Sequence, residues 1–86
     1  MKSITRLNNI LKHMEQVYFS NIVTNEDGTI NFSEEVKKEG EVVGSSEQTN
    51  IIINPELSLE DNLKARCFSS IEVFVDGVSV GNGTVE

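Results

Sequence analysis

From Ser3 to Phe19 the apolar residues of this chain recur with a helical period, and that constrains its fold more than any other feature of the sequence. Placed at about 100° per residue, Ile4, Leu7, Ile10, Leu11, Met14, Val17 and Tyr18 fall in one stripe roughly 140° wide. Thr5, Asn8, Asn9, Lys12, His13, Glu15 and Gln16 cover the other side. No Gly or Pro interrupts the stretch, and the Ser3 hydroxyl can cap the first turn by accepting a free backbone N–H. So wide a stripe suits a helix laid on a sheet rather than a coiled-coil seam. The expected class is therefore α+β: one long N-terminal amphipathic helix packed on a small antiparallel sheet, with a second short helix.

The remainder supplies the sheet. Residues 21–24 and 29–32 read as two short strands joined by Asn25-Glu26-Asp27-Gly28, where Gly28 is free to take a positive φ. The segment from Ser33 to Glu47 is charged, holds Gly40 and Gly44 and shows little apolar periodicity. It is expected to be a mobile loop, with Glu41-Val42-Val43 as its one candidate strand. Residues 49–54 contain Ile51, Ile52 and Ile53, the pattern of a strand buried on both faces, and Pro55 stops it. Ser58 with Asp61 resembles a capping box, which places Leu59, Leu63 and Arg66 on one face of a two-turn helix ending near Cys67. Ile71, Val73 and Val75 alternate with polar or outward residues along residues 70–75. Asp76-Gly77 is a strong hairpin signal, and residues 78–80 return. Asn82-Gly83 offers a second turn before the last residues. The sum is two helices and about four to six antiparallel strands.

Size and charge narrow the function. With 86 residues, residues 1–86 are expected to form a single domain whose core is too small for a buried multi-residue active site. No apolar run approaches the ~18 residues of a membrane helix. The start lacks the uninterrupted apolar stretch of a secretion signal, because Asn8, Asn9, Lys12 and His13 break it. Cys67 is the single cysteine and has no disulfide partner within the chain, so a reducing cytoplasm is the expected compartment. The formal net charge is −7, and residues 25–61 hold ten acids against Lys37 and Lys38, a local excess of eight. No basic face is available to release counterions from a phosphate backbone, which disfavours direct nucleic-acid binding. A basic protein surface is the more fitting partner.

Two short segments resemble known families. With Gly28 taken as the sixth position of a calcium loop, Asn25, Asp27, Thr29, Asn31 and Glu34 fall at its third, fifth, seventh, ninth and twelfth positions. Residues 11–38 thereby resemble an EF-hand, a likeness that implies an incoming helix carrying Phe19 and Ile22. It departs at the first position, where Val23 stands in place of the ligating aspartate. Ser70-Ile71-Glu72-Val73-Phe74-Val75-Asp76-Gly77, with Gly81-Asn82-Gly83-Thr84 behind it, is similar to the first strands of double-stranded-RNA-binding domains. That likeness implies a further strand and a basic helix, whereas the sequence ends at Glu86 and has no lysine cluster.

Candidate chemistry is sparse. His13 is the one imidazole and falls on the polar side of the first predicted helix. A metal centre of nitrogen and sulfur ligands would have one His and one Cys to draw on. Cys67 would need a base beside it to act as a nucleophile, and is expected instead to be a small buried apolar residue. Gly81-Asn82-Gly83 opens no helix and so cradles no phosphate. Neither an enzyme nor a cofactor is expected. The expected function is a small acidic protein-binding module that docks on a basic surface of a partner. An inhibitor of the phage-encoded, nucleic-acid-mimicking kind is one form of it. The expected contact residues are Glu34, Glu35, Glu39, Glu41 and Glu47. A structural, self-assembling subunit is the alternative, compatible with a homo-oligomer, and a degenerate EF-hand-like calcium binder at residues 23–34 is a further one. No membrane association is expected.

Overall fold

The computed structural model describes residues 15–86. In chain order these residues form β1 (Glu15–Thr24), β2 (Ile30–Lys38), β3 (Glu41–Ile51), α1 (Leu59–Lys64), β4 (Glu72–Val75) and β5 (Val78–Asn82). The strands make one five-stranded sheet in the order β3-β2-β1-β4-β5.

The long N-terminal helix is the main correction. Its proposed last turn, Glu15 to Phe19, is the start of a strand, and its earlier positions, from Ser3 to Met14 and including His13, lie outside the described residues. Val17 and Phe19 are buried while Tyr18 between them is only half-buried. That period of two sends alternate side chains to opposite faces, where a helix would have put Val17 and Tyr18 on one stripe. β-branched and aromatic residues fit a pleated surface. Here Tyr18 stacks on Phe74 of the neighbouring strand, ring centroids 4.3 Å apart and ring planes nearly parallel.

The sheet is mixed, which corrects the all-antiparallel expectation. β1 pairs antiparallel with β2 and parallel with β4, with Val17 beside Val73 and Phe19 beside Val75. One face carries Val17, Phe19, Ile30, Phe32 and Val73, all buried, and Leu63 and Cys67 are the other buried apolar residues among those described. Phe19 meets Phe32 edge-on, 5.2 Å between centroids, a favoured aromatic geometry.

The short helix forms where expected but ends at Lys64 rather than near Cys67, and of Leu59, Leu63 and Arg66 only Leu63 is buried. The Ser58 hydroxyl accepts the Asp61 N–H at 3.1 Å, and Leu63 is fully buried. Asn62 fixes the preceding loop: its amide accepts the Asn54 N–H at 2.7 Å and donates to the Asn54 and Ser58 carbonyls. Beyond α1 the final residues fold back to satisfy the carbonyls at the end of the helix. Thr84 N–H donates to Lys64 at 3.0 Å, Val85 N–H to Cys67 at 3.0 Å, and Gly83 N–H to Ile71 at 2.9 Å. Gly83 is buried there, and a Cβ would collide with the carbonyl oxygens of Cys67 and Phe68. The Asn82 side-chain amide donates to Ser69 O at 2.9 Å on the same side.

Three further readings change. Ser33 to Glu47 is not a loop. It is the second half of β2, a two-residue turn and most of β3, in one hairpin. Glu39 and Gly40 make the turn with φ of 57° and 82°, the left-handed pair that matches strand twist; Asp76 and Gly77 do the same between β4 and β5. The apolar signal is weak because Val36 is the one residue of this stretch packed against the core, and β3 contributes no buried residue. Nor is the isoleucine run buried on both faces. β3 ends at Ile51, and Ile51 and Ile53 pack against the core while Ile52 between them is 86% exposed. Finally, the helix-loop-helix frame of an EF-hand is replaced by β1, a turn and β2; Phe19 and Ile22 are strand residues. The β4–β5 hairpin is present, with β4 flanked on its other side by the parallel β1.

Candidate docking surface

The five glutamates expected to contact a partner all lie on the β2–β3 hairpin, at two places. Strand register decides which of them meet. Ser33 pairs with Glu47, Glu34 with Ser46 and Glu35 with Ser45, and on the other side of β2 Ser20 pairs with Ser33. Directly opposed residues share a face, as do residues two apart. Glu35 and Glu47 therefore join Ser20, Ser33 and Ser45 on the face away from α1, and Glu34 and Ser46 stand on the helix side. These residues and Asn21 line an open groove of about 410 Å³. Glu39 and Glu41 do not line it; they sit at the hairpin tip, in and just after the turn.

The groove carboxylates are held chiefly by neutral donors. The Ser33 hydroxyl donates to Glu47 at 3.0 Å and receives the Asn21 side-chain N–H at 3.2 Å. The Ser46 hydroxyl reaches Glu34 at 3.4 Å and is itself bonded by Gln48 at 3.1 Å. Lys37 Nζ lies 3.8 Å from Glu35, the one ion pair among the described residues, and 4.4 Å from the Tyr18 ring centroid. Hydroxyls orient a carboxylate without neutralising it, so the groove keeps its negative potential. Sequence reasoning missed the serine lining. Its visible trace is the pair of asparagines at the β-bulges: Asn21 and Asn50 have φ of 53° and 54°, a conformation asparagine tolerates better than most residues.

At the turn of the β1–β2 hairpin lies a second, more apolar groove of about 370 Å³, lined by Asp27, Gly28, Thr29, Ile52, Ile53 and Pro55. The residues of the supposed calcium loop spend their polar atoms on one another here. Thr29 donates its hydroxyl to Asp27 at 2.6 Å and its N–H to the same oxygen at 3.0 Å; these two bonds hold the Asp27 carboxyl below its ordinary 3.8. The Asn25 amide donates to Thr29 at 3.0 Å and Asn31 at 2.9 Å, and Asn31 in turn accepts the Asn50 N–H at 3.0 Å. Glu34, the twelfth loop position, lies midway along β2, at the first groove. Among the described residues no three His, Cys, Asp or Glu side chains gather as metal ligands.

Cys67 is buried as expected. Burial pushes its thiol up to about 11, with the Glu34 charge adding to this and Arg66 opposing it. Such a thiol stays protonated and is a poor nucleophile. Among the described residues no helix is long and apolar enough to cross a membrane. No protein-family model, curated protein or solved structure matches this chain.

Proposed function

We propose that this chain is a non-enzymatic protein-binding module whose β2–β3 hairpin docks on a basic surface of a partner protein. One observation carries the reading: strand register sets Glu35 and Glu47 on one face of the sheet beside an open groove that Glu34 also lines, and of the three only Glu35 has a cation within 4 Å among the described residues. Carboxylates fixed by hydroxyls present a preorganised negative field, which speeds encounter with a positive surface and suppresses wrong partners. Blocking a partner's nucleic-acid site is one use of such a surface.

The test is to isolate the partner from the native host and measure association across ionic strength. The Debye length falls from about 10 Å at 0.1 M salt to about 3 Å at 1 M. The on-rate is expected to drop steeply over that range, and simultaneous reversal of Glu34, Glu35 and Glu47 to lysine is expected to slow it comparably at low salt. Binding that ignores both salt and the reversals overturns the reading. The self-assembling alternative draws on the open edge of β3, and light scattering on the purified chain separates the two, since assembly would appear without any partner.

A further inference from the structure

We infer that the outer edge of β3 receives an extended, basic segment of the partner protein as an added strand. This rests on the reading of the hairpin as a docking element and specifies how the partner is held.

β3 ends the sheet on one side, and among the described residues nothing pairs with its outer edge. Every second backbone amide and carbonyl along it points away from β2, the arrangement that strand addition uses. The edge is not uniformly usable. Register shifts interrupt it near Val42 and Val43 and again near Thr49 and Asn50, leaving residues 44–48 as an unbroken ladder opposite Val36 to Phe32. Five residues span about 17 Å, enough for a short guest strand. The flanking bulges limit indiscriminate pairing and fix where a guest can begin.

Side chains beside that ladder select the guest. Glu47 lies on the face away from α1 with Glu35 one strand further in, and Glu34 lies on the other face beside Ser46. A guest laid along residues 44–48 places its alternate side chains next to one set or the other. Lysine or arginine at the positions facing Glu35 and Glu47 meets their charge. Acidic or bulky apolar residues there find no complement among serines and carboxylates. A second copy of this chain offers poor complementarity, because its own edge brings Glu47 and the acidic hairpin against the same charges.

Amide exchange on the full-length chain, with synthetic peptides as probes, decides it. The probes are a peptide alternating lysine and valine, its glutamate–valine counterpart, and the lysine peptide with N-methylated backbone. Saturable binding of the lysine peptide is expected, with alternate amides of residues 44–48 newly protected. Loss of binding is expected on N-methylation, on exchange of lysine for glutamate, and in the Glu35→Lys, Glu47→Lys chain. Equal binding of the N-methylated peptide overturns strand addition while leaving charge-driven docking in place. Equal binding of the glutamate peptide overturns both. Protection of residues 44–48 with no peptide present, growing with protein concentration, assigns the edge to a second copy and overturns the inference, as does no binding by any probe.

Discussion

The two ends of the sheet are built on different principles. Around β1, β4, α1 and the start of β2, seven side chains among the described residues are buried against one another, and the last residues of the chain seal the end of the helix. Along β3 no side chain is buried, and the hairpin holds itself by backbone pairing, by two left-handed turn residues and by hydroxyl-to-carboxylate bonds. Stability is concentrated in the first region, since apolar burial is the dominant favourable contribution to folding. The second is free to vary its side chains, because little of the fold depends on them.

Substitutions can break or sharpen this division. The largest effect is expected at Phe19, which is fully buried and edge-on to Phe32. Phe19→Ala should cost about 3–5 kcal/mol in urea unfolding, a large share of the ~5–15 kcal/mol typical of a domain. A loss under ~1 kcal/mol would mean that the core lies elsewhere.

An intermediate effect is expected from alkali. The Cys67 thiol is raised from 9.0 to about 11 on folding. The neutral thiol is therefore the form the folded state favours, and its contribution is complete below pH 9 and lost as pH rises through about 11. The gap corresponds to about 2–3 kcal/mol. A stability–pH profile should show this fall in the parent and a shallower one in Cys67→Ala. Identical slopes would place the thiol in water, outside the core.

The smallest effect is expected on the hairpin. Glu35→Lys and Glu47→Lys should each move stability by less than ~0.5 kcal/mol, because both are solvated and one partner is a serine. If either unfolds the chain, the groove is a structural feature of the fold and the separation of the two regions fails.

How much of this was legible in the sequence follows the same division. The short helix was readable because its signals are local: Ser58 three residues before Asp61, and Leu63 one turn inside. The hairpin at Asp76-Gly77 was readable because two adjacent residues with positive φ have few alternatives. The burial of Cys67 was readable from its isolation. The long helix misled at its end, because Val17 and Tyr18 complete a helical stripe while Val17 and Phe19 fit a strand alternation, and pairing with β2 and β4 decided between them. The acidic hairpin was hidden for the opposite reason. A strand announces itself by the face it buries, and in residues 33–47 only Val36 packs against the core. The five glutamates were identified from charge alone. That Glu35 and Glu47 share a face while Glu34 takes the other and Glu39 and Glu41 stay at the tip is a matter of register, which depends on where the bulges at Asn21 and Asn50 fall.

The docked final segment bears on how this molecule ages. An asparagine followed by glycine is prone to cyclise, because the glycine nitrogen can reach the asparagine side-chain carbonyl with no Cβ in its way. In the folded chain the Gly83 N–H is engaged by Ile71, Gly83 is buried, and the Asn82 amide is held by Ser69. The reaction needs all three released together, which is a local opening of the segment rather than global unfolding. Isoaspartate at position 82 would then accumulate in proportion to the time the segment has spent undocked, a chemical record of that motion left in the covalent chain.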